Sequence, residues 1–338
     1  MDRPATGNRG GAPDTAALAE GVLAGNRRAL ARAITLVESG RPDHRAAAAD
    51  LLARTAAPGR EALRLGLTGT PGVGKSSVIE SLGMMLVDRG LRVAVLAVDP
   101  SSARSGGSIL GDKTRMERLS RTPGAFIRPS PSQAQLGGVA RRTREAVSLC
   151  EAAGFDVVVI ETVGVGQSET VVAELSDIFL LLLAPAGGDE LQGVKRGIME
   201  AADLILVNKA DGDLRAAAMR TRVDYAGALR LLRRRPQDPP EFPKALCISA
   251  HDGSGLAEAW SEIETLAAWR RAQGHWQARR AAQSRHWFEE EVRQGLLRLL
   301  RDDPDARGRM ARLAEDVAEG RTSPTAAAAE VLSAFHRG

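Results

Sequence analysis

The stretch Gly69-Thr-Pro-Gly-Val-Gly-Lys-Ser76 decides which fold this sequence can adopt. It fits the pattern G-x-x-x-x-G-K-[ST], in which a glycine-rich loop wraps phosphate oxygens at the positive end of the following helix. Residues 63–68 before it alternate as a strand does, and residues 77–86 after it have the pattern of a helix. The order strand, loop, helix favours a phosphate-binding loop over a glycine-rich turn without function.

Each part of this loop has a predicted role. Lys75 would reach the β- and γ-phosphates as a compact point charge, and the Ser76 hydroxyl would be a ligand of Mg²⁺. The glycines allow the tight turn that points backbone N–H groups at the phosphates. The predicted phosphate-binding residues are Gly69, Thr70, Pro71, Gly72, Val73, Gly74, Lys75, Ser76 and Ser77.

A second string, Asn208-Lys-Ala-Asp211, follows the apolar run 204–207 and should lie at the carboxyl edge of a parallel sheet. Asp211 can accept hydrogen bonds from N1–H and the exocyclic amine of guanine, which adenine does not offer. Asn208 would orient the loop and the base, and the Lys209 stem would cover the ring. Taken alone, the string also fits a loop that only caps a helix. Together with the phosphate loop, it predicts guanine binding.

The strand-like run 245–248 ends in Ser249, Ala250 and His251. Its end could offer backbone N–H groups to guanine O6, so these three residues complete the predicted guanine site. Taken alone, the run also fits an ordinary strand end before the turn at Asp252.

Lysine is rare in this chain, which favours arginine. Lys and Arg total 46, of which five are lysines. Two of them, Lys75 and Lys209, lie in the nucleotide motifs, where an ammonium differs chemically from a guanidinium. Lys113 and Lys195 are candidates for a role of the same kind, against the alternative of chance retention.

Bulk composition excludes several classes of protein. The chain has 338 residues and a net charge of +4, with arginines spread along its length, so no nucleic-acid partner is expected. The run 178–186 is too short to span a bilayer, and residues 1–13 contain no apolar signal segment. Cys150 and Cys247 have no paired spacing and indicate reduced thiols in a cytoplasmic protein.

Alternating patterns predict an α/β fold, a P-loop NTPase with a mostly parallel sheet flanked by helices and with helical extensions at both termini. Strands are expected at 63–68, 93–98, 157–160, 178–183, 204–207 and 245–248. The expected domains are a disordered N-terminus (1–13), an N-terminal helical extension (14–60), a GTPase domain (61–255) and a C-terminal helical dimerisation arm (256–338).

The C-terminal region contains all four tryptophans. Trp269, Trp276 and Trp287 would fall within about 20° of each other on one continuous helix, with Trp260 roughly opposite. This stripe predicts either packing against the chain's own core or a dimer interface, where tryptophan is enriched.

Two further segments follow strand-like runs and are candidates for nucleotide-sensing switches. Asp99 and Glu161 each end an apolar run, as carboxylates acting on a hydrated Mg²⁺ should, although each could be a capping acid. Asp99-Pro-Ser-Ser102 leads to Gly106-Gly-Ser-Ile-Leu-Gly-Asp-Lys-Thr-Arg-Met116, and Glu161 opens Glu-Thr-Val-Gly-Val-Gly-Gln-Ser-Glu169.

With Gly188-Asp-Glu-Leu-Gln-Gly193, these segments closely resemble the MeaB/ArgK family of P-loop GTPases over nearly the whole chain. The resemblance implies a homodimeric chaperone of an adenosylcobalamin-dependent acyl-CoA mutase such as methylmalonyl-CoA mutase. It implies bound GTP or GDP, with no cobalamin bound directly, and gating of cofactor loading, protection and reactivation of the mutase. The Mg²⁺ and switch residues it implies are Ser76, Asp99, Asp112 and Glu161, with Asp189, Glu190 and Lys195 in a third switch.

One position departs from the family pattern Ser-Pro-Ser-x-Gly-Thr-Leu-Gly-Gly. Ala134 and Gln135 replace the Gly-Thr pair, which removes conformational freedom and adds bulk to a loop. We expect nucleotide binding to be unchanged. The client mutase is what this puts in question, and an isobutyryl-CoA or 2-hydroxyisobutyryl-CoA mutase is an alternative.

Other functions have less support in the residues. A metal-delivering GTPase would need a transfer cluster, but the five histidines are scattered. A P-loop kinase would need an acceptor site, and a signal-recognition GTPase would need an added RNA- or membrane-binding domain. Hydrolysis should be slow without a partner, because no glutamine or arginine finger is evident at a fixed catalytic position. Gln167 could orient water and Arg104, Arg115 or Arg128 could act in cis, and the sequence does not choose among them.

Overall fold

The computed structural model describes residues 14–56, 59–98, 116–129, 136–162, 168–185, 196–232 and 235–335. Seven parallel strands in these ranges form one sheet in the order β3-β2-β4-β1-β5-β6-β7. The strands are β1 Leu63–Gly69, β2 Val93–Val98, β3 Ala125–Arg128, β4 Val157–Thr162, β5 Ile178–Leu183, β6 Leu204–Val207 and β7 Lys244–Cys247.

Thirteen α-helices lie in the described ranges and flank or extend the sheet. They are α1 Thr15–Leu23, α2 Arg27–Glu38, α3 Pro42–Thr55, α4 Lys75–Asp88, α5 Glu117–Arg121, α6 Leu136–Ala152, α7 Ser168–Leu175, α8 Arg196–Ala201, α9 Arg215–Arg230, α10 Leu256–Ala272, α11 His275–Asp302, α12 Pro304–Ala318 and α13 Pro324–Phe335. The predicted α/β class with a parallel sheet between helices is confirmed.

Six of the seven strands lie where the apolar runs predict them, to within a residue or two at their ends. The strands β1, β4, β5 and β6 are buried along their whole length, as expected for a sheet covered on both faces. The strand β3 was not predicted from the sequence; it has four residues and ends in a partly exposed arginine at the sheet edge. So short a run carries too few apolar residues to reveal its period.

The N-terminal helices follow their sequence signals. Gly25 adopts φ +73°, and Asn26 begins α2 by accepting hydrogen bonds from the N–H groups of Arg28 and Ala29. The apolar stripe of α2, formed by Leu30, Ile34 and Val37, is buried.

The chain divides into two compact units, residues 1–278 and 279–338. In the first unit, α10 contributes Trp260, Ile263 and Leu266 to the large apolar core that also contains the strands. In the second, Leu313, Ala327 and Val331 form a small cluster between α12 and α13. None of the described helices is long and apolar enough to cross a membrane.

The expected tryptophan stripe is wrong as a single face. Gly274, at φ +73°, separates α10 from α11, so Trp269 does not share a continuous helix with Trp276 and Trp287. Trp276 is buried in the core of the first unit, as is Trp260, whereas Trp269 is 38% exposed. Periodicity across the break carries no meaning, because a left-handed residue reorients the chain.

A buried ion cluster holds the amino ends of β5 and β6. Arg270 of α10 is 1% exposed and donates to Asp203 Oδ1 at 2.6 Å and to Asp238 Oδ1 at 2.7 Å. It also donates to the carbonyl of Asp177 at 2.7 Å. Burial alone would lower the pKa of Arg270, but the two carboxylates outweigh it and raise that pKa. Arg235 adds a second cation 3.0 Å from Asp203 Oδ1.

We predict that Arg270→Met lowers the free energy of unfolding by about 3–5 kcal/mol, because it leaves buried carboxylates short of a partner. Urea denaturation followed by circular dichroism measures the change. The matched control is Arg54→Met, which removes the exposed pair with Asp50 on α3 and should change the stability far less, because water screens an exposed pair. Equal losses in the two variants would contradict a special role for the buried cluster.

Candidate nucleotide-binding site

The loop after β1 lies at the carboxyl edge of the sheet, where parallel α/β folds bind ligands. Residues Thr70, Pro71 and Gly72 are exposed, Val73 is buried, and Gly74 caps α4 in a left-handed conformation without a capping side chain. The first-turn N–H groups of α4 therefore lack the side-chain acceptor that a cap would supply. The N-terminus of this 14-residue helix therefore provides an anion-binding site next to the loop.

Lys75 lies over this loop. Its ammonium donates to the carbonyls of Gly69 at 2.6 Å and Thr70 at 3.3 Å. Burial lowers the pKa of Lys75, and the nearby carboxylates of Glu161 and Glu169 act in the opposite direction. A partly desolvated ammonium held by neutral carbonyls favours an anionic ligand that would replace those contacts.

Gly74 is the point where the two predicted motifs touch. Its backbone has φ +90°, and a Cβ atom here would lie 2.6 Å from the side-chain Nδ2 of Asn208. Only glycine combines that conformation with that approach. The phosphate loop and the Asn208 loop are thus packed against each other, although 134 positions separate Gly74 from Asn208 in the sequence.

The side-chain amide of Asn208 connects three segments. Asn208 is 2% exposed, and its Nδ2 donates to the Val73 carbonyl at 2.8 Å. Its Oδ1 accepts the N–H of Ala250 at 3.1 Å, and its own N–H donates to Leu183 at the end of β5. A buried amide with its partners satisfied fixes the loop that carries Asp211 relative to the phosphate loop.

Lys209 and Asp211 complete the second motif. Lys209 has φ +59°, an uncommon conformation for a residue with a side chain, and its ammonium donates to the Gly72 carbonyl at 2.9 Å. Asp211 is half-buried, and its Oδ1 accepts the hydroxyl of Ser249 at 2.7 Å. That bond orients the Asp211 carboxylate.

The segment after β7 places Ser249, Ala250 and His251 beside Asp211 and Asn208. The His251 N–H donates to Ser249 Oγ at 3.2 Å, and the Ala250 N–H already donates to Asn208. The Ser249 N–H donates to the carbonyl of Ser254 at 2.9 Å, so all three N–H groups have intramolecular acceptors in this structure. The assignment of these three residues to guanine binding remains a prediction.

Glu161 lies at the end of β4, directly beside Leu67 of β1 in the register of the sheet. It is 5% exposed. The hydroxyls of Thr68 and Thr162 are 2.9 Å apart and join the same two strand ends. With the Ser76 hydroxyl at the start of α4, this gives hard oxygen donors of the kind Mg²⁺ prefers, and the donors present fit that ion. Among the described residues, no group of three or more His, Cys, Asp or Glu side chains could hold a metal.

Several predicted site residues lie outside the described residues, so the structure places none of them. They are Asp99, Asp112, Lys113, Gln167, Asp189, Glu190 and Lys195, together with Arg104, Arg115 and the Ala134-Gln135 pair. Arg128, at the end of β3, pairs with Glu38 of α2.

Ser81, one turn after Ser77 on α4, was not predicted to take part in the site. Its hydroxyl donates to the carbonyl of Ala250 at 2.7 Å and so connects the segment after β7 to the helix that follows the phosphate loop. A serine on an amphipathic helix gives no signal of such a contact, because its partner lies 169 positions away.

Known proteins resemble this chain over nearly its whole length. A putative GTPase of Caulobacter vibrioides is 54% identical over 322 residues, covering 95% of this chain and 98% of the relative. The mouse protein named methylmalonic aciduria type A homolog, mitochondrial, is 47% identical over 325 residues, which cover 93% of this chain and 78% of the mouse protein.

The crystal structure titled LAO/AO transport system kinase superposes with a TM-score of 0.73 at 38% identity, covering 96% of this chain and 98% of that one. The family model described as methylmalonyl Co-A mutase-associated GTPase MeaB matches residues 30–305. Since this match covers most of the sequence, the chain belongs to the MeaB family of P-loop GTPases.

Proposed function

We propose that this protein binds GTP, hydrolyses it slowly by itself, and acts in the cytoplasm as a chaperone of an adenosylcobalamin-dependent acyl-CoA mutase. The observation that carries the proposal is the buried Asn208 amide, which holds the phosphate loop and the Asp211 loop in one unit. Family membership supports the association with a mutase. Cys150 and Cys247 are both free, which suits a reducing compartment.

In this proposal the phosphates lie at the N-terminus of α4, and Lys75 leaves the Gly69 carbonyl to pair with them. Asp211 accepts the two guanine donors while Ser249 keeps its carboxylate in position. Asn208 holds the base loop, and the Lys209 stem covers the ring. In this proposal, the other residues that the sequence predicts for the phosphate and guanine sites have those roles.

Mg²⁺, when bound, would neutralise charge that develops on the phosphates during hydrolysis. Ser76 and Glu161, which the structure describes, would hold the Mg²⁺ ion. Asp99 and Asp112, which lie outside the described residues, are the other two proposed ligands. Glu161 also opposes the loss of charge on Lys75, since its carboxylate raises the pKa of that lysine. Glu161 thus helps to keep Lys75 charged.

The client would be methylmalonyl-CoA mutase or an isobutyryl-CoA or 2-hydroxyisobutyryl-CoA mutase. The chaperone would gate loading of adenosylcobalamin onto the mutase and would protect and reactivate it, with the cobalamin bound by the mutase alone. Lys113 and Gln167 are candidates for sensing the γ-phosphate, and Asp189, Glu190 and Lys195 for relaying the nucleotide state to the client. A client can respond only if its affinities for the two nucleotide states differ.

The first test is steady-state hydrolysis of GTP and ATP by the purified protein, with and without each purified mutase. We expect GTP turnover to exceed ATP turnover and to rise with one mutase. In many GTPases, contacts from a partner complete the catalytic site and raise the rate of hydrolysis by about 10³-fold or more. Lys75→Met should abolish the stimulated turnover.

Leu231→Glu, an exposed change outside the site, is the control and should retain wild-type turnover. Turnover that no mutase changes would remove the chaperone assignment. Transfer of labelled phosphate from GTP or ATP to a small molecule or protein would favour a kinase instead.

A second prediction concerns the base. Asp211→Asn replaces two carboxylate acceptors by an amide that donates, so GTP affinity should fall by about 10²-fold or more. Xanthosine triphosphate, which carries a carbonyl where guanine has its amine, should bind this variant better than GTP does. Fluorescence titration with labelled GDP in competition measures both affinities.

The matched control is Asp213→Asn, an exposed carboxylate two residues further along the chain. It should leave the preference for guanine unchanged. The proposed role of Asp211 would be contradicted if both variants kept wild-type affinity for GTP.

We propose that α11 forms part of a homodimer interface within a C-terminal arm, residues 256–338, that follows a GTPase domain at 61–255 and a helical extension at 14–60. Of the five large apolar residues exposed on α11, all but Leu297 follow spacings of four, four and three, namely Phe288, Val292, Leu296 and Leu299, with exposures of 69%, 46%, 54% and 60%. Such spacing places them on one face of the helix. A continuous exposed apolar face supports association between chains.

We expect the wild-type protein to elute as a dimer in light scattering coupled to size exclusion. The double variant Val292→Glu and Leu296→Glu should be monomeric, because two charges cannot be buried at an apolar interface without partners. Leu332→Glu, another exposed leucine in the same unit, tests whether any added charge has this effect. A monomeric wild type, or a double variant that remains dimeric, would refute this interface.

A further inference from the structure

A groove with a volume of about 650 Å³ runs along the outer edge of β7 and is closed on one side by α9. It shares no residue with the nucleotide site described above. Leu229, Phe242 and Leu246 supply buried apolar surface to its wall, with Ala226 and Pro243 beside them. Its volume is in the range of small-molecule sites, about 300–1,000 Å³.

Arg222 of α9 lines this groove and is the feature that requires explanation. Its Nε–H is buried, and no residue in the described part of the chain accepts a hydrogen bond from it. A buried donor that makes no hydrogen bond costs free energy, so native proteins nearly always supply an acceptor. Burial raises the pKa of the Cys247 thiol on β7, and the positive charge of Arg222 opposes that rise. Arg222 lines the same groove as Ala245 and Leu246, so it lies beside β7.

The edge of β7 adds a second donor to the same groove. The N–H groups of Lys244 and Ile248 donate to carbonyls at the two ends of β6. Because every second residue of a parallel strand bonds to the same neighbour, the intervening Ala245 turns its N–H away from β6. No strand follows β7 in the sheet of the described residues, and Ala245 lines the groove. An acceptor in the groove can thus meet both a guanidinium and a backbone N–H.

The charges of the lining favour an anion. Three cations, Arg222, Arg230 and Lys244, face the groove with one acid, the exposed Glu241. Lys244 is compensated by Glu262 of α10 at 2.7 Å. The two arginines against Glu241 leave an excess of positive charge next to apolar walls.

We propose that the groove binds an amphipathic anion, a small molecule with an apolar chain or ring and one carboxylate or phosphate. The anionic group would accept hydrogen bonds from Arg222 and from the Ala245 N–H. The apolar part would lie against Leu229, Phe242 and Leu246. Charge-assisted hydrogen bonds to a guanidinium are the stronger kind, and the apolar walls add affinity in proportion to the area that they cover.

Isothermal titration calorimetry tests this with four probes, each used below its micelle concentration and with GDP and Mg²⁺ in excess so that the phosphate loop is occupied. The probes are octanoate, octyl phosphate, 1-octanol and inorganic phosphate. We expect at least one of the two amphipathic anions to bind about tenfold or more tightly than octanol, which lacks the charge, and than inorganic phosphate, which lacks the chain. The stronger of the two identifies the anionic group as carboxylate or phosphate.

Arg222→Met keeps an unbranched apolar side chain and should reduce anion affinity to the level of octanol. Arg220→Met, an exposed arginine two residues earlier on α9, is the matched control and should bind as the wild type does. Ala226→Leu leaves the charges intact but fills part of the groove, so it should weaken both amphipathic anions.

Thermal unfolding verifies that each variant is folded. The proposal is overturned if neither anion binds the wild type, if octanol binds as tightly as both anions, or if folded Arg222→Met binds them unchanged.

Discussion

The arrangement of the nucleotide site depends on one buried amide, that of Asn208. It donates to the phosphate loop, accepts from the segment after β7, and follows β6 directly. A carboxamide suits this position because it offers a donor and an acceptor in one plane without bringing a charge into the core. An aspartate would present only acceptors, so the Val73 carbonyl would lose its donor and a buried charge would remain.

The opposite end of β6 is held by a different kind of contact. Asp203 precedes this four-residue strand and receives the Arg270 guanidinium, while its Oδ2 also accepts the N–H of Phe179 on β5. The strand that carries the guanine motif is thus fixed by ionic bonds before its first residue and by amide bonds after its last. Along its length the strand pairs with β5 on one side and β7 on the other, and these end contacts add to its ladder bonds.

The parts of the molecule that could be predicted are those with local signals. The phosphate loop, the buried strands and the Asn26 cap each follow from residues close together in the chain. The Arg270 cluster could not be predicted, because its partners lie 67 and 32 positions away and an arginine within a helix resembles a solvated one. The tryptophan stripe failed for a related reason: one left-handed glycine, Gly274, breaks the helix on which the argument relied.

The lysines show how far a compositional argument extends. Lys75 and Lys209 both donate to carbonyls of the phosphate loop, where a single ammonium fits between backbone groups that a planar guanidinium fork would not match. Lys244, however, lies far along the sheet edge, paired with Glu262 and with its ammonium 4.7 Å from the centre of the Phe242 ring. Retention of lysine in an arginine-rich chain thus indicates sites where a compact cation fits, and the predicted contact with a nucleotide is only one reason for such a fit.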